Sequence, residues 1–148
     1  MNLNIDLSRI KYTFNQKPLL IGGNAMEYYG LRKAGDDVDF VVALEDYEGL
    51  KEVYSEPEYH EDIWGDLGVK VQELEFWKWI CLFDYEFLSE KAIEEKDFLI
   101  ISLEKLLFMK AIAMSKKKYR KDLKMIVQKF LDDQYKDNEE WKEKYLKK

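Results

Sequence analysis

The chain has 148 residues, 47% hydrophobic and 15% aromatic, with 24 Lys and Arg against 30 Asp and Glu for a formal net charge of -6. That composition supplies one apolar core at a length short for two, so one compact domain is expected and a disordered chain is excluded. The lone cysteine, Cys81, excludes an internal disulfide and, with a single histidine, argues against a structural zinc site. No apolar run approaches the roughly 18 residues of a membrane span and no secretory leader pattern opens the chain, which points to a cytoplasmic protein with no membrane role.

In chain order, Leu7, Ile10 and Phe14 stand at helical spacing and predict a short helix over Leu7 to Phe14. Pro18 to Ile21 reads as a buried strand running into Gly22 and Gly23. Asn24 is the expected cap of a helix through Ala25, Met26, Tyr28 and Tyr29, ending at Gly30. Val38 to Leu44 is a second strand, and Glu45 to Tyr54 an amphipathic helix that Pro57 ends. Val69 to Phe76 reads as a third strand, Trp77 to Phe83 fits strand and helix alike, and Asp84 caps a helix through Phe87, Leu88, Ala92 and Ile93. Phe98 to Ile101 is a short strand. Ser102 starts the strongest helix, followed by helices over Tyr119 to Leu131 and Asn138 to Leu146. The expected class is α/β (α+β): a small mixed β-sheet flanked by helices over residues 1–101 and a helical part over 102–148, within a single domain.

Charge is unevenly placed. Between Glu45 and Glu75 eleven acids face only Lys51 and Lys70, whereas between Lys105 and Lys124 eight cations face the single acid Asp122. The basic segment fits a small polyanion better than nonspecific duplex binding, or it is a solvated helix face.

The run LLIGGNAMEYYGLRKAGDDVDFVV concentrates the chemistry. Its first strand delivers two glycines to a helix start, where a backbone without side chains approaches a ligand and unpaired amides favour phosphate. On the next strand Asp37 and Asp39 flank Val38, so the two-residue period sends both carboxylates to one face. Carboxylates that close repel unless a cation sits between them, and hard oxygen ligands select magnesium or manganese. Solvated acids at a loop-to-strand junction are the plain alternative.

An apolar strand before each motif and thirteen residues between Gly23 and Asp37 give an order that resembles the nucleotidyltransferase superfamily. It looks most like the small bacterial members, whose helix reads roughly YG-x-R before the acid pair, here Tyr29-Gly30-Leu31-Arg32. Relatives often carry Ser or Thr near the position of Ala34. The resemblance implies a third acid on a later strand, best met by Glu75 with Glu73 as the alternative. It also implies that Gly22, Gly23, Asn24, Arg32, Lys110, Lys118 and Asp122 lie near the nucleotide, with Arg120 close by, and that Asp37, Asp39 and Glu75 hold Mg2+ or Mn2+.

The activity so implied is transfer of a nucleoside monophosphate from a nucleoside triphosphate to the hydroxyl of an acceptor, which could be a small molecule, an RNA end or a protein. The rival expectation is an inactive nucleotide-binding or partner-binding module, such as one half of a toxin-antitoxin pair, acting with a cognate protein or as a homodimer. Lys110 could equally snorkel from an apolar helix. His60 reads as an ordinary surface residue, Cys81 as core packing, Trp64, Trp77 and Trp79 as packing or base-stacking groups, and Trp141 as a contact for a partner.

Overall fold

The computed structural model describes residues 3–61, 63 and 65–145; Trp64 and the expected helix end at Leu146 lie outside them. Chain contacts divide the protein into two units, Met1–Leu106 and Leu107–Lys148.

The first unit is built on a mixed sheet. β1 (Leu19–Leu20) pairs antiparallel with β2 (Val38–Val41), and β2 pairs parallel with β4 (Leu74–Trp77), which forms a hairpin with β3 (Gly68–Val71). On its other side β1 runs parallel to β8 (Leu99–Ile100), itself antiparallel to β7 (Ile93–Glu94). Helices α1 (Gly22–Tyr28) and α2 (Leu44–Val53) follow β1 and β2, and α3 (Tyr85–Leu88) follows a separate small hairpin of β5 (Trp79–Ile80) and β6 (Phe83–Asp84). The mixed sheet with flanking helices is the expected class.

Alternation along β2 and β4 sends Phe40 and Phe76 inward, where their rings stack at 5.4 Å, with Phe98 edge-on to Phe40 at 6.1 Å. Ile10, Leu20, Val42, Tyr47, Leu50, Tyr54, Val69, Leu74 and Ile100 complete this core. Truncating a buried phenylalanine in such a cluster to alanine costs about 3–5 kcal/mol.

Three local expectations fail. Leu7 to Phe14 forms turns and bends, not a helix. Side chains take backbone donors within it and just beyond it: Ser8 N donates to Asp6 Oδ1 and Lys11 N to Tyr54 Oη, both at 2.9 Å, and after Phe14 the buried Asp46 accepts from Asn15 N at 2.8 Å and Gln16 N at 3.0 Å. The apolar residues still pack on the core, reached by an irregular path. Val69 to Phe76 is a hairpin because Gln72, at φ +56°, turns the chain back on itself. The helix capped by Asp84 is only four residues long, and Ile93 is already in β7. Two caps are as expected: Phe87 N donates to Asp84 Oδ1 at 3.0 Å and Lys105 N to Ser102 Oγ at 3.1 Å.

Helix α4 (Leu103–Ile112) leads from the first unit into the second, which holds α5 (Lys117–Tyr135) and α6 (Glu139–Tyr145). Among the described residues, no helix is long and apolar enough to cross a membrane.

Candidate metal and nucleotide site

Strand register assembles a row of charged side chains across β3, β4 and β2. Asp39 pairs with Glu75 in the parallel β2/β4 ladder, and Glu75 pairs with Lys70 in the antiparallel β3/β4 ladder. Paired residues on adjacent strands present their side chains to the same face, so Lys70, Glu75 and Asp39 stand side by side. Asp37, one residue before β2, joins them through Lys70, whose Nζ lies 3.6 Å from Asp37 Oδ1.

The row is electrostatically strained. Glu75 is only 8% exposed. Burial pushes its carboxyl up to about 8; a hydrogen bond with Asp39 and repulsion from Asp39 and Asp37 act the same way, and Lys70 opposes them. At neutral pH Glu75 therefore keeps its proton and is hydrogen-bonded to Asp39. Trp77 Nε1 donates weakly to Asp39 Oδ1 at 3.4 Å, closing one side of that carboxylate.

The glycine turn abuts the same carboxylate. Ile21 N donates to Asp39 O at 2.9 Å, fastening the turn to β2. Gly22 has φ +67°, and a Cβ there would stand 2.8 Å from Asp39 Oδ2, so both conformation and space require glycine. A Cβ on Gly23 would reach 3.4 Å from Arg32 Nη1, which places the guanidinium against the turn; Arg32 Nη1 also donates to Lys33 O at 2.9 Å. Asn24 is not the helix cap. Because α1 begins two residues earlier, Asn24 lies within its first turn, buried, and its Nδ2 donates to Asp37 O at 3.2 Å. Gly22, Gly23, Asn24, Arg32, Asp37, Asp39 and Glu75 thus form one neighbourhood.

Glu73 is engaged elsewhere. It bonds with Arg9, which also reaches Gln72 Oε1 at 2.7 Å, and this pairing holds its carboxyl below the usual range. Lys110, Lys118 and Asp122 belong to the second unit. There Lys110 Nζ and Asp122 Oδ2 form a buried pair at 3.0 Å, with Lys110 over the Tyr119 ring at 4.8 Å and exposed Lys118 at 5.0 Å from it.

Lys70 is a site residue that sequence reading missed, and Trp77, read as a packing or base-stacking group, instead meets Asp39 through its Nε1. Treating Gln72-Glu73 as a turn would have found Lys70, since it sets Lys70 opposite Glu75. Other expectations change too. Cys81 is exposed at the β5/β6 tip, where it and Leu82 take positive φ to close a two-residue turn. His60 is half-buried and ties two segments, with Nε2 at 2.9 Å from Tyr54 O and Nδ1 at 3.2 Å from Gly68 O. Trp79 lies under Lys78 Nζ at 4.4 Å, and Trp141 stacks on Tyr135 at 6.4 Å.

The donor set suits a hard divalent cation, for carboxylate oxygens are its preferred ligands and the row carries more negative charge than Lys70 balances. Among the described residues no three such side chains already stand as a metal-holding group, although Asp37 and Asp39 both act on Glu75. A proton on Glu75 and the Lys70 ammonium on Asp37 hold these carboxyls in their present arrangement. A cleft of about 230 Å³ lined by Leu3, Tyr28, Phe98, Ile100 and residues 95–97 contains none of these groups. No protein-family model, no curated protein and no solved structure matches the chain.

Proposed function

We propose that the chain is a metal-dependent nucleotidyltransferase that moves a nucleoside monophosphate from a nucleoside triphosphate to an acceptor hydroxyl. The observation that carries this reading is the in-register pairing of Asp39 with Glu75, joined by Asp37 and abutted by Gly22. Asp37, Asp39 and Glu75 would hold Mg2+ or Mn2+. Bound there, the cation supplies charge neutralisation for the phosphates and a lowered pKa for the attacking hydroxyl.

The remaining work falls to the protein's own groups. With the cation bound, Glu75 would release its proton to solvent and complete an oxygen-donor set with Asp37 and Asp39. Lys70 leaves Asp37 and is then placed to meet phosphate oxygen. Gly22 and Gly23 admit the triphosphate close to the backbone, and Arg32 stands over Gly23 as a second cation. We assign the protein to the cytoplasm, in keeping with an exposed free thiol at Cys81.

Calorimetry with the four nucleoside triphosphates and Mg2+, followed by pyrophosphate release, tests the proposal. Asp37→Asn and Asp39→Asn should each abolish metal-dependent nucleotide binding, and unchanged binding would refute it. The ion pair of Lys70 with Asp37 favours one second reading, a nucleotide-binding or partner-binding module without turnover, such as a toxin-antitoxin component. It predicts tight nucleotide binding with no pyrophosphate released across a broad acceptor screen.

A further inference from the structure

The first turns of α5, in the second unit, carry cations that no carboxylate among the described residues neutralises. Lys116, Lys117, Lys118, Arg120, Lys121 and Lys124 are all exposed, and among the described residues none of them forms an ion pair. The single acid in this stretch does not offset them, because Asp122 is buried against Lys110. Farther along the same unit cations are matched: Lys129 with Asp133 at 3.7 Å and Lys142 with Asp132 at 3.6 Å.

The cations are also ordered. Lys117, Arg120, Lys121 and Lys124 fall at i, i+3, i+4 and i+7, one helix face about 10 Å long. Lys116 and Lys118 flank it at 5.9 and 5.0 Å from the Tyr119 ring, a contact that leaves their charge in place. In a chain of net charge -6 this patch is a local exception.

We propose that this face of α5 binds a single-stranded nucleic acid through its phosphodiester backbone. Like charges crowded on one face are relieved by a polyanion, and the gain on binding is the release of that polymer's counterions. A duplex carries a charge about every 1.7 Å, which the net negative chain repels, whereas a flexible strand follows one short helix face. The face offers only cations, so it holds phosphates and does not read bases. RNA and DNA strands are held alike. This proposal stands independently of the metal site.

The test is fluorescence anisotropy of a labelled oligo(U) of about twelve nucleotides, in about 50 mM salt. Oligo(dT) and a duplex of the same length are run alongside, with phosphatidylserine vesicles as a separate arm. Both single strands should bind with similar affinity and lose it with salt at a log-log slope of about -3, the value for roughly four phosphates. The triple variant K117E/K121E/K124E alters exposed side chains and should weaken binding by about tenfold or more, with a smaller slope and an unchanged melting midpoint. Asp39→Asn should bind as the wild type does. Absent binding, an unaffected triple variant, tighter binding of the duplex, or capture by vesicles instead of the strand would each overturn the proposal.

Discussion

Replacing Glu75 by Gln isolates the folding cost of the acid row. Glu75 keeps its proton to about pH 8, against 4.5 for an unperturbed glutamate. Below about pH 4.5 folded and unfolded chains both hold that proton, so the group's contribution to stability is fully present. Above it the unfolded chain ionises first, and stability falls by about 1.4 kcal/mol per pH unit until the folded group ionises near pH 8. Partial solvent screening of the carboxyl reduces the full product, and we expect a total loss of about 3 kcal/mol. The glutamine amide keeps the size and donates to Asp39, but it does not titrate. Urea denaturation should therefore find E75Q and wild type alike at pH 4 and E75Q more stable by about 3 kcal/mol at pH 8.5, with a melting midpoint about 8 °C higher. Parallel pH profiles for the two proteins would refute this account of the row.

Gly22→Ala should cost about 2 kcal/mol in urea denaturation, because the residue sits at φ +67° and its Cβ would press on the Asp39 carboxylate. Lys110→Met leaves Asp122 charged and buried, and should destabilise by about 3–5 kcal/mol, while K110M/D122L should recover most of the loss. Asp46→Ala removes the acceptor for Tyr12 Oη, Asn15 N and Gln16 N, so the Asn15 and Gln16 amides should exchange hydrogen faster by about tenfold or more.

The sequence revealed elements where local pattern and tertiary packing agree. Leu19–Leu20 is an apolar pair and Val38–Val41 sets Asp39 among apolar residues, both in the middle of a sheet, and Asp84 and Ser102 cap through bonds that reach only three residues. It misled where distant partners decide. Leu7, Ile10 and Phe14 keep helical spacing, yet Asp46, some thirty residues away, takes the backbone donors just beyond them. The Gln72-Glu73 turn has no glycine or asparagine to announce it, so the hairpin read as one strand.

The site was legible to the same degree. Asp37 and Asp39 follow from alternation within one strand, but setting Asp39 beside Glu75 depends on the parallel β2/β4 register, which no local pattern fixes. Glu73 and Glu75 look equivalent in sequence, and the pairing of Glu75 with Asp39 and of Glu73 with Arg9 separates them. Lys70 entered the site by the same route, through pairing across the unrecognised turn.

The most direct measurement is an electron paramagnetic resonance titration of Mn2+ at pH 8.5 with ATP present, comparing wild type with Asp39→Asn. The wild type should remove the free Mn2+ signal in proportion to protein, and Asp39→Asn should lose that binding while remaining folded. Equal Mn2+ uptake by the two proteins would contradict a metal site at Asp37, Asp39 and Glu75.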